Sequence, residues 1–301
     1  QTYNFFEGFS EGRAKLKKGK FIHDIMTKEV PGFIKWAGGK KQLLEQFKNY
    51  FPKKINNYFE PFVGGGSVAF FIIKNHNPSK VLLSDTNEEL INAYEVIKNN
   101  TAELIDLLKQ HKEAHNKENY YRIRDLCPAE LNKIERAARF IYLNKSCFNG
   151  LYRVNSKGGF NVPIGSSKHP SILMEDDLKK VSSLLQNAQI KIMPFEEVTN
   201  YALAGDFIYF DPPYYPLKQG KSFTTYTKEA FLEKEQEKLS EIFKKLDNKG
   251  CKVMLSNSDT EFIKNLYKEY NIETVQASRM INCDATKRGK INELVVTNYK
   301  P

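Results

Sequence analysis

Tyr58-Phe59-Glu60-Pro61-Phe62-Val63-Gly64-Gly65-Gly66-Ser67 is the stretch that decides the fold. Tyr58 to Phe62 reads as a short buried strand running into a glycine turn, and Ser67 to Lys74 as a helix. Glycine lets backbone approach a ligand closely, and a helix N-terminus offers free N–H groups. Gly64, Gly66 and Ala69 fit the G-x-G-x-x-G/A spacing of dinucleotide sites. Asp85 follows Gly64 by 21 residues and ends a second apolar run, Val81-Leu82-Leu83-Ser84. An acid at that place can accept hydrogen bonds from ribose hydroxyls. The pair therefore reads as a site for a ribose-bearing cofactor. It does not by itself separate NAD from S-adenosylmethionine, and a purely structural glycine turn is the plain alternative.

Outward from this unit the rhythm continues. Glu88 to Lys98 and Glu229 to Leu246 have helical spacing. Gln189 to Phe195, Phe207 to Phe210, Lys252 to Ser256, Ile272 to Gln276 and Leu294 to Asn298 read as strands. Alternating βα units with apolar strands predict an α/β, Rossmann-like, mostly parallel seven-stranded sheet covered on both faces. Residues 100–188 break the rhythm. Glu103 to Lys112 and Ile134 to Tyr142 are amphipathic, and Ser156 to Gly159 is a turn signal between two β-prone arms. This stretch reads as an inserted helical domain carrying a β-hairpin. The catalytic domain would then comprise residues 31–99 and 189–301, behind an N-terminal extension, 1–30, with a basic cluster.

The composition narrows the partners. The chain of 301 residues is 41% hydrophobic and 27% charged, with a formal net charge of +10. That charge favours a polyanion, nucleic acid or an acidic membrane surface. No apolar run approaches the roughly 20 residues that span a bilayer, and no secretory leader pattern opens the sequence. A cytoplasmic protein with no membrane partner is expected. Cys127, Cys147, Cys251 and Cys283 are far apart and read as free thiols. His111 and His115 lie one helical turn apart, but Lys112 follows His111 where a zinc protease would carry glutamate. They read as a surface pair, with no metal.

The chemical signal is Asp211-Pro212-Pro213-Tyr214, directly after the Phe207–Phe210 run. Two prolines cannot continue a central strand, so the chain leaves the sheet here. Ligands of open α/β sheets bind at these carboxyl ends. The N6 amine of adenine is a poor nucleophile because its lone pair is delocalised into the ring. A carboxylate, Asp211, and a carbonyl, Pro212 C=O, accepting its two N–H bonds would draw the nitrogen toward tetrahedral geometry. Tyr214 can stack on the base, a contact worth roughly 1–3 kcal/mol. A methyl group on a sulfonium needs positioning and electrostatics, not a metal. The bland reading is a Pro-Pro turn after a strand.

Upstream, Lys35-Trp36-Ala37-Gly38-Gly39-Lys40 sets the chain's one tryptophan beside two glycines and a lysine. With these elements in that order, the chain resembles the Dam-type adenine-N6 DNA methyltransferases, including those of restriction–modification systems that recognise GATC. The resemblance runs from about Phe33 to Asn298. It implies S-adenosylmethionine as cofactor, held by Trp36, Gly38, Lys40, Pro61, Phe62, Gly64, Gly66, Asp85, Phe195 and Asp211. It also implies duplex DNA as partner, and functional pairing with a restriction endonuclease. Phe148-Asn149-Gly150-Leu151-Tyr152-Arg153 and Phe160-Asn161-Val162-Pro163 look like the family's recognition hairpin. By that likeness Arg153 reads a guanine, Phe148 and Leu151 wedge near a flipped base, and Pro163 packs on a thymine. Asn149 and Lys35 join the DNA-contacting set.

One departure is visible. Relatives often carry Gly-Asp-Phe after the third strand, whose acid bonds the cofactor's adenine amine. Here the chain reads Met193-Pro194-Phe195, with Glu196 and Glu197 as the nearest acids. Two rival classes share parts of this pattern. An NAD-dependent oxidoreductase explains the glycine loop but not the Asp-Pro-Pro-Tyr segment. A non-catalytic nucleic-acid-binding module explains the charge but not the cofactor pocket. RNA adenine, cytosine N4 or a protein amide would keep the chemistry with another substrate.

Overall fold

The computed structural model describes residues 30–155, 158–217, 231–278 and 290–301. Seven strands form one sheet: β1 (Asn57–Glu60), β2 (Lys80–Asp85), β3 (Ala188–Ile192), β4 (Phe207–Phe210), β5 (Lys252–Ser258), β6 (Asn271–Ser278) and β7 (Lys290–Thr297). Their order is β3-β2-β1-β4-β5-β7-β6. Strands β1 to β5 pair in parallel, and β7 lies antiparallel between β5 and β6. The chain builds outward from β1 in one direction and from β4 in the other. The carboxyl ends of β1 and β4 therefore meet at the point where strand order reverses, where open α/β sheets form a crevice.

Burial follows the strand period of two. Tyr58, Phe207, Tyr209 and Met254 enter one apolar cluster, while Phe59, Ile208, Phe210, Val253 and Leu255 enter the other. The first face is covered by α1 (Leu44–Phe47), α2 (Ser67–His76) and α3 (Glu88–Asn99). The second is covered by α8 (Glu233–Asn248) and α9 (Glu261–Leu266). Between α3 and β3 run α4 (Thr101–Glu113), α5 (Lys117–Asp125), α6 (Lys133–Ser146) and α7 (Glu175–Leu185). Helix α6 starts at a full capping box, Asn132 with Glu135, and buries every residue from Ala137 to Ser146. Its apolar side chains join the same cluster as α2 and α3.

Several boundaries differ from the sequence reading. Strand β3 ends at Ile192, because Pro194 has no N–H to give; the Met193 N–H makes the last bond, 3.2 Å to the Asp85 carbonyl. Helix α8 begins at Glu233, and the predicted start at Glu229 lies outside the described residues. The hairpin arms do not form strands. They touch through two isolated bridges, Cys147 with Ile164 and Val154 with Phe160. Asn149 (φ 55°) and Pro163 interrupt any regular ladder, so the segment is an irregular loop. It is pinned by Phe148 N–H to Pro163 C=O (2.9 Å) and Asn161 N–H to Arg153 C=O (3.0 Å). His111 and His115 are not a plain surface pair. Both rings pack on Tyr142, and His115 Nδ1 lies 2.9 Å from its hydroxyl.

Gly66 has φ +72°, and a Cβ there would fall 2.4 Å from Tyr94 Oη and 2.8 Å from the Phe70 ring. Gly158 has φ +81° with open space around it. In urea unfolding, Gly66→Ala should cost about 2–4 kcal/mol, overpacking added to backbone strain, and Gly158→Ala only about 1 kcal/mol from strain alone.

Candidate active site

The glycine turn and the segment before it form one cradle. Trp36 lies over the turn, so a Cβ at Gly64 would come 2.8 Å from its indole. The same indole stacks on Tyr152, with centroids 5.9 Å apart. Asp85 sits at the end of β2, where its two oxygens accept the N–H groups of Gly64 (3.2 Å) and Asn87 (3.0 Å). Burial raises its pKa, and these backbone bonds hold it down. Each oxygen keeps a further lone pair for a ribose hydroxyl. Tyr94 donates to the Gly64 carbonyl at 2.9 Å and fixes the turn from beneath. Phe62 and Phe195 stack face to face at 5.3 Å, and Phe231 meets both edge-on. An acid for ribose, aromatic faces for a base and a glycine turn between them fit a nucleoside-bearing cofactor.

The Asp211–Tyr214 loop leaves β4 beside this cradle. Lys40 Nζ pairs with Asp211 Oδ1 at 2.8 Å, and its side chain is only 4% exposed. The same ammonium donates to the Gly38 carbonyl (2.5 Å) and lies 4.6 Å from the Tyr214 ring centroid. Ser256 donates to the same Asp211 oxygen at 2.9 Å. Its one proton is thereby used, so Tyr209 donates to Ser256 across their 2.8 Å contact. Burial raises the Asp211 pKa, while Lys40 and Ser256 oppose that shift and favour the carboxylate. Glu60, at the end of β1, accepts from Tyr58 (2.5 Å), and burial pushes its pKa well up. Pro61 is buried where β1 turns into the loop.

The rest of the loop is held by groups that the sequence reading did not single out. Gln236 of α8 donates to the Pro213 carbonyl at 2.9 Å and accepts from Asn257 at 2.9 Å. Asn257 also accepts the Tyr215 N–H (3.2 Å), and Ser258 donates to the Tyr215 carbonyl (2.7 Å). Tyr214 Oη donates to Glu293 of β7 at 2.7 Å. Among the described residues none donates to the Pro212 carbonyl. Three polar residues, Ser256 to Ser258, follow the apolar Val253–Leu255 run of β5, and all are buried. That break in pattern was the signal available in the sequence.

The predicted DNA-contacting residues gather on a third side. Asn144 is wholly buried and bonds both the N–H and the C=O of Lys35 (2.8 Å each), as well as the Gly150 carbonyl (3.1 Å). Gly150 has no room for a Cβ, which would come 2.5 Å from the Lys35 side chain. Phe148 is 48% exposed, and Asn149, Arg153 and Pro163 are exposed beside it, with Leu151 half-buried. Arg153 Nε donates to Asn161 Oδ1 at 2.7 Å, which steadies the guanidinium. After β3, Glu196 pairs with Lys238, and its second oxygen has no partner among the described residues.

A buried acid after β2, a glycine turn after β1 and the Asp-Pro-Pro-Tyr loop after β4 lie at neighbouring strand ends, an arrangement that suits a Rossmann-like methyltransferase. The family model for D12 class N6 adenine-specific DNA methyltransferases matches residues 36–281. The chain is 46% identical over 288 residues to a Type II methyltransferase, M.MjaIII, of Methanocaldococcus jannaschii, covering 90% of this chain and 100% of that protein. It is 45% identical to a Type II methyltransferase, M1.LlaDCHI, of Lactococcus lactis, covering 89% and 95%. It is 34% identical to the DNA adenine methylase of Escherichia coli, covering 91% and 97%. The chain belongs to the D12 class of N6 adenine-specific DNA methyltransferases. Its chemistry is therefore methyl transfer to adenine in DNA, with S-adenosylmethionine implied as donor, and the oxidoreductase and non-catalytic readings fall away. No helix among the described residues is long and apolar enough to cross a membrane.

Gln236→Leu removes the donor to the Pro213 carbonyl and leaves the buried Asn257 amide without its acceptor. One buried unsatisfied group costs about 1–3 kcal/mol, so the variant should lose about that much in denaturant unfolding and turn over more slowly.

Proposed function

We propose that this enzyme methylates adenine within a short duplex site, GATC by the resemblance, and that the target base turns out of the helix to meet Asp211–Tyr214. The observation that carries this reading is the pairing of acceptors at the end of β4. Lys40 and Ser256 both contact Asp211 Oδ1, leaving Oδ2 for an incoming amine, and the Pro212 carbonyl is the second acceptor. Two N–H bonds to these oxygens localise the N6 lone pair on nitrogen. Lys40 favours Asp211 as a carboxylate, and Asp211 can hold a proton shed by N6 after attack. Tyr214 supplies the stacking face. Turning the base out costs a few kcal/mol, offset by this stacking and by the apolar wedges Phe148 and Leu151.

Trp36, Gly38, Lys40, Pro61, Phe62, Gly64, Gly66, Asp85 and Phe195 would hold S-adenosylmethionine, with Asp85 on the ribose and Phe62 and Phe195 on the adenine. When bound, that cofactor supplies an electrophilic methyl group on a positively charged sulfur. Glu196 is the acid nearest the place left by Pro194. Residues 31–99 and 189–301 serve as the catalytic part and residues 100–188 as the recognition insert. In the insert, Arg153 reads guanine O6 and N7 with the donors that Asn161 leaves free. Lys35, Asn149 and Pro163 contact the flanking bases. The extension 1–30 and the basic Arg279–Lys290 loop, a further phosphate-contacting candidate, lie almost wholly outside the described residues. Two relatives carry Type II names, which supports pairing with a cognate endonuclease; a cytoplasmic place of action is part of this reading.

Asp211→Ala should abolish methyl transfer in a single-turnover assay while duplex binding persists; substantial residual turnover would remove the mechanism. Arg153→Ala should relax discrimination at one guanine by about 1–3 kcal/mol, read by competition between substituted duplexes. Modified-base sequencing of DNA from cells expressing the protein tests the GATC assignment directly.

A further inference from the structure

Glu293 stands apart from the residues that the reaction uses directly. It lies on β7, in register with Ser258 of β5 and Val275 of β6, and so belongs to the antiparallel end of the sheet. Its carboxylate nevertheless reaches the catalytic loop and accepts the Tyr214 hydroxyl at 2.7 Å. A partly desolvated carboxylate is held in such a place only by good partners. Here they are the Tyr214 phenol and the field of the Lys40 ammonium, with Asp211 as the opposing negative group.

The geometry constrains one ring. Tyr214 is fixed to the chain at its Cβ, so χ1 would let the ring swing and χ2 would let it turn. The hydrogen bond at Oη holds the far end and removes the swing. The Lys40 ammonium, 4.6 Å from the centroid, favours one orientation of the face and restrains the turn. A stacking platform is effective when its plane is set before the base arrives, because ordering it afterwards costs conformational entropy.

We infer that Glu293 is a positioning residue for the methyl transfer, holding the Tyr214 ring in the plane on which the target adenine stacks. The inference rests on the proposed role of Tyr214 as that platform.

The test uses the full chain, a cognate duplex, and the same duplex with 2-aminopurine replacing the target adenine. E293A should slow single-turnover methyl transfer about tenfold, the worth of one charge-assisted hydrogen bond. Its affinity for S-adenosylhomocysteine, measured by titration, should stay at the wild-type value. E293Q still accepts from a phenol and should recover most of the rate, which separates positioning from a need for charge. Y214F should match E293A, and the double variant E293A/Y214F should be no slower than Y214F, since the two groups act through one bond. Stacking also quenches the flipped 2-aminopurine, so E293A should show a brighter bound state than wild type. A wild-type rate in E293A, or rate losses that multiply in the double variant, would overturn the inference. Y214A is the control for the underlying reading. If it keeps the wild-type rate, Tyr214 is no platform and both ideas fall; if it is slow while E293A is not, only the role of Glu293 falls.

Discussion

The Lys40–Asp211 ion pair is the contact on which the site depends. Taking two charges out of water costs several kcal/mol each, and a lone pair inside a protein seldom recovers that. Here both ends have further partners: the Gly38 carbonyl for the ammonium, and the Ser256 hydroxyl for the carboxylate. The pair ties the segment before α1 to the end of β4, elements far apart in the chain. Lys35 and Trp36 belong to that same segment, so fixing Lys40 also helps fix them over Gly150 and the glycine turn.

Around this pair several polar groups of the Asp211–Tyr215 loop are bonded in advance. The Pro213 and Tyr215 carbonyls, the Tyr215 N–H and the Tyr214 hydroxyl all have partners on α8, β5 or β7. The Pro212 carbonyl is left open among the described residues. A loop with these four groups already bonded has less to reorganise when substrate arrives, and electrostatic catalysis depends on such preorganisation. The buried polar end of β5 is the structural cost of the arrangement, and its closed network of hydrogen bonds offsets the desolvation.

The face beside the loop is assembled across more than a hundred residues. Asn144, at the buried end of α6, bonds the backbone of Lys35 on one side and Gly150 on the other. Trp36 touches the glycine turn and stacks on Tyr152. The glycine-turn cradle and the segment proposed to read DNA therefore share the Trp36 side chain and a common apolar cluster.

The sequence by itself determined the sheet, the glycine turn, the acid after β2 and the Asp-Pro-Pro-Tyr loop. These depend on local rules: the period of apolar residues, the freedom of glycine, and the inability of proline to continue a strand. Resemblance added the cofactor and the recognition segment. Only the tertiary structure decided that Lys40 pairs with Asp211, that Gln236, Asn257 and Glu293 brace the loop, and that Asn144 joins Lys35 to Gly150. It also decided that residues 148–163 form an irregular loop and not a ladder. Such contacts arise when strand order brings distant elements together. A side chain's partner across 79 residues, as for Tyr214 and Glu293, leaves no periodic trace in the chain.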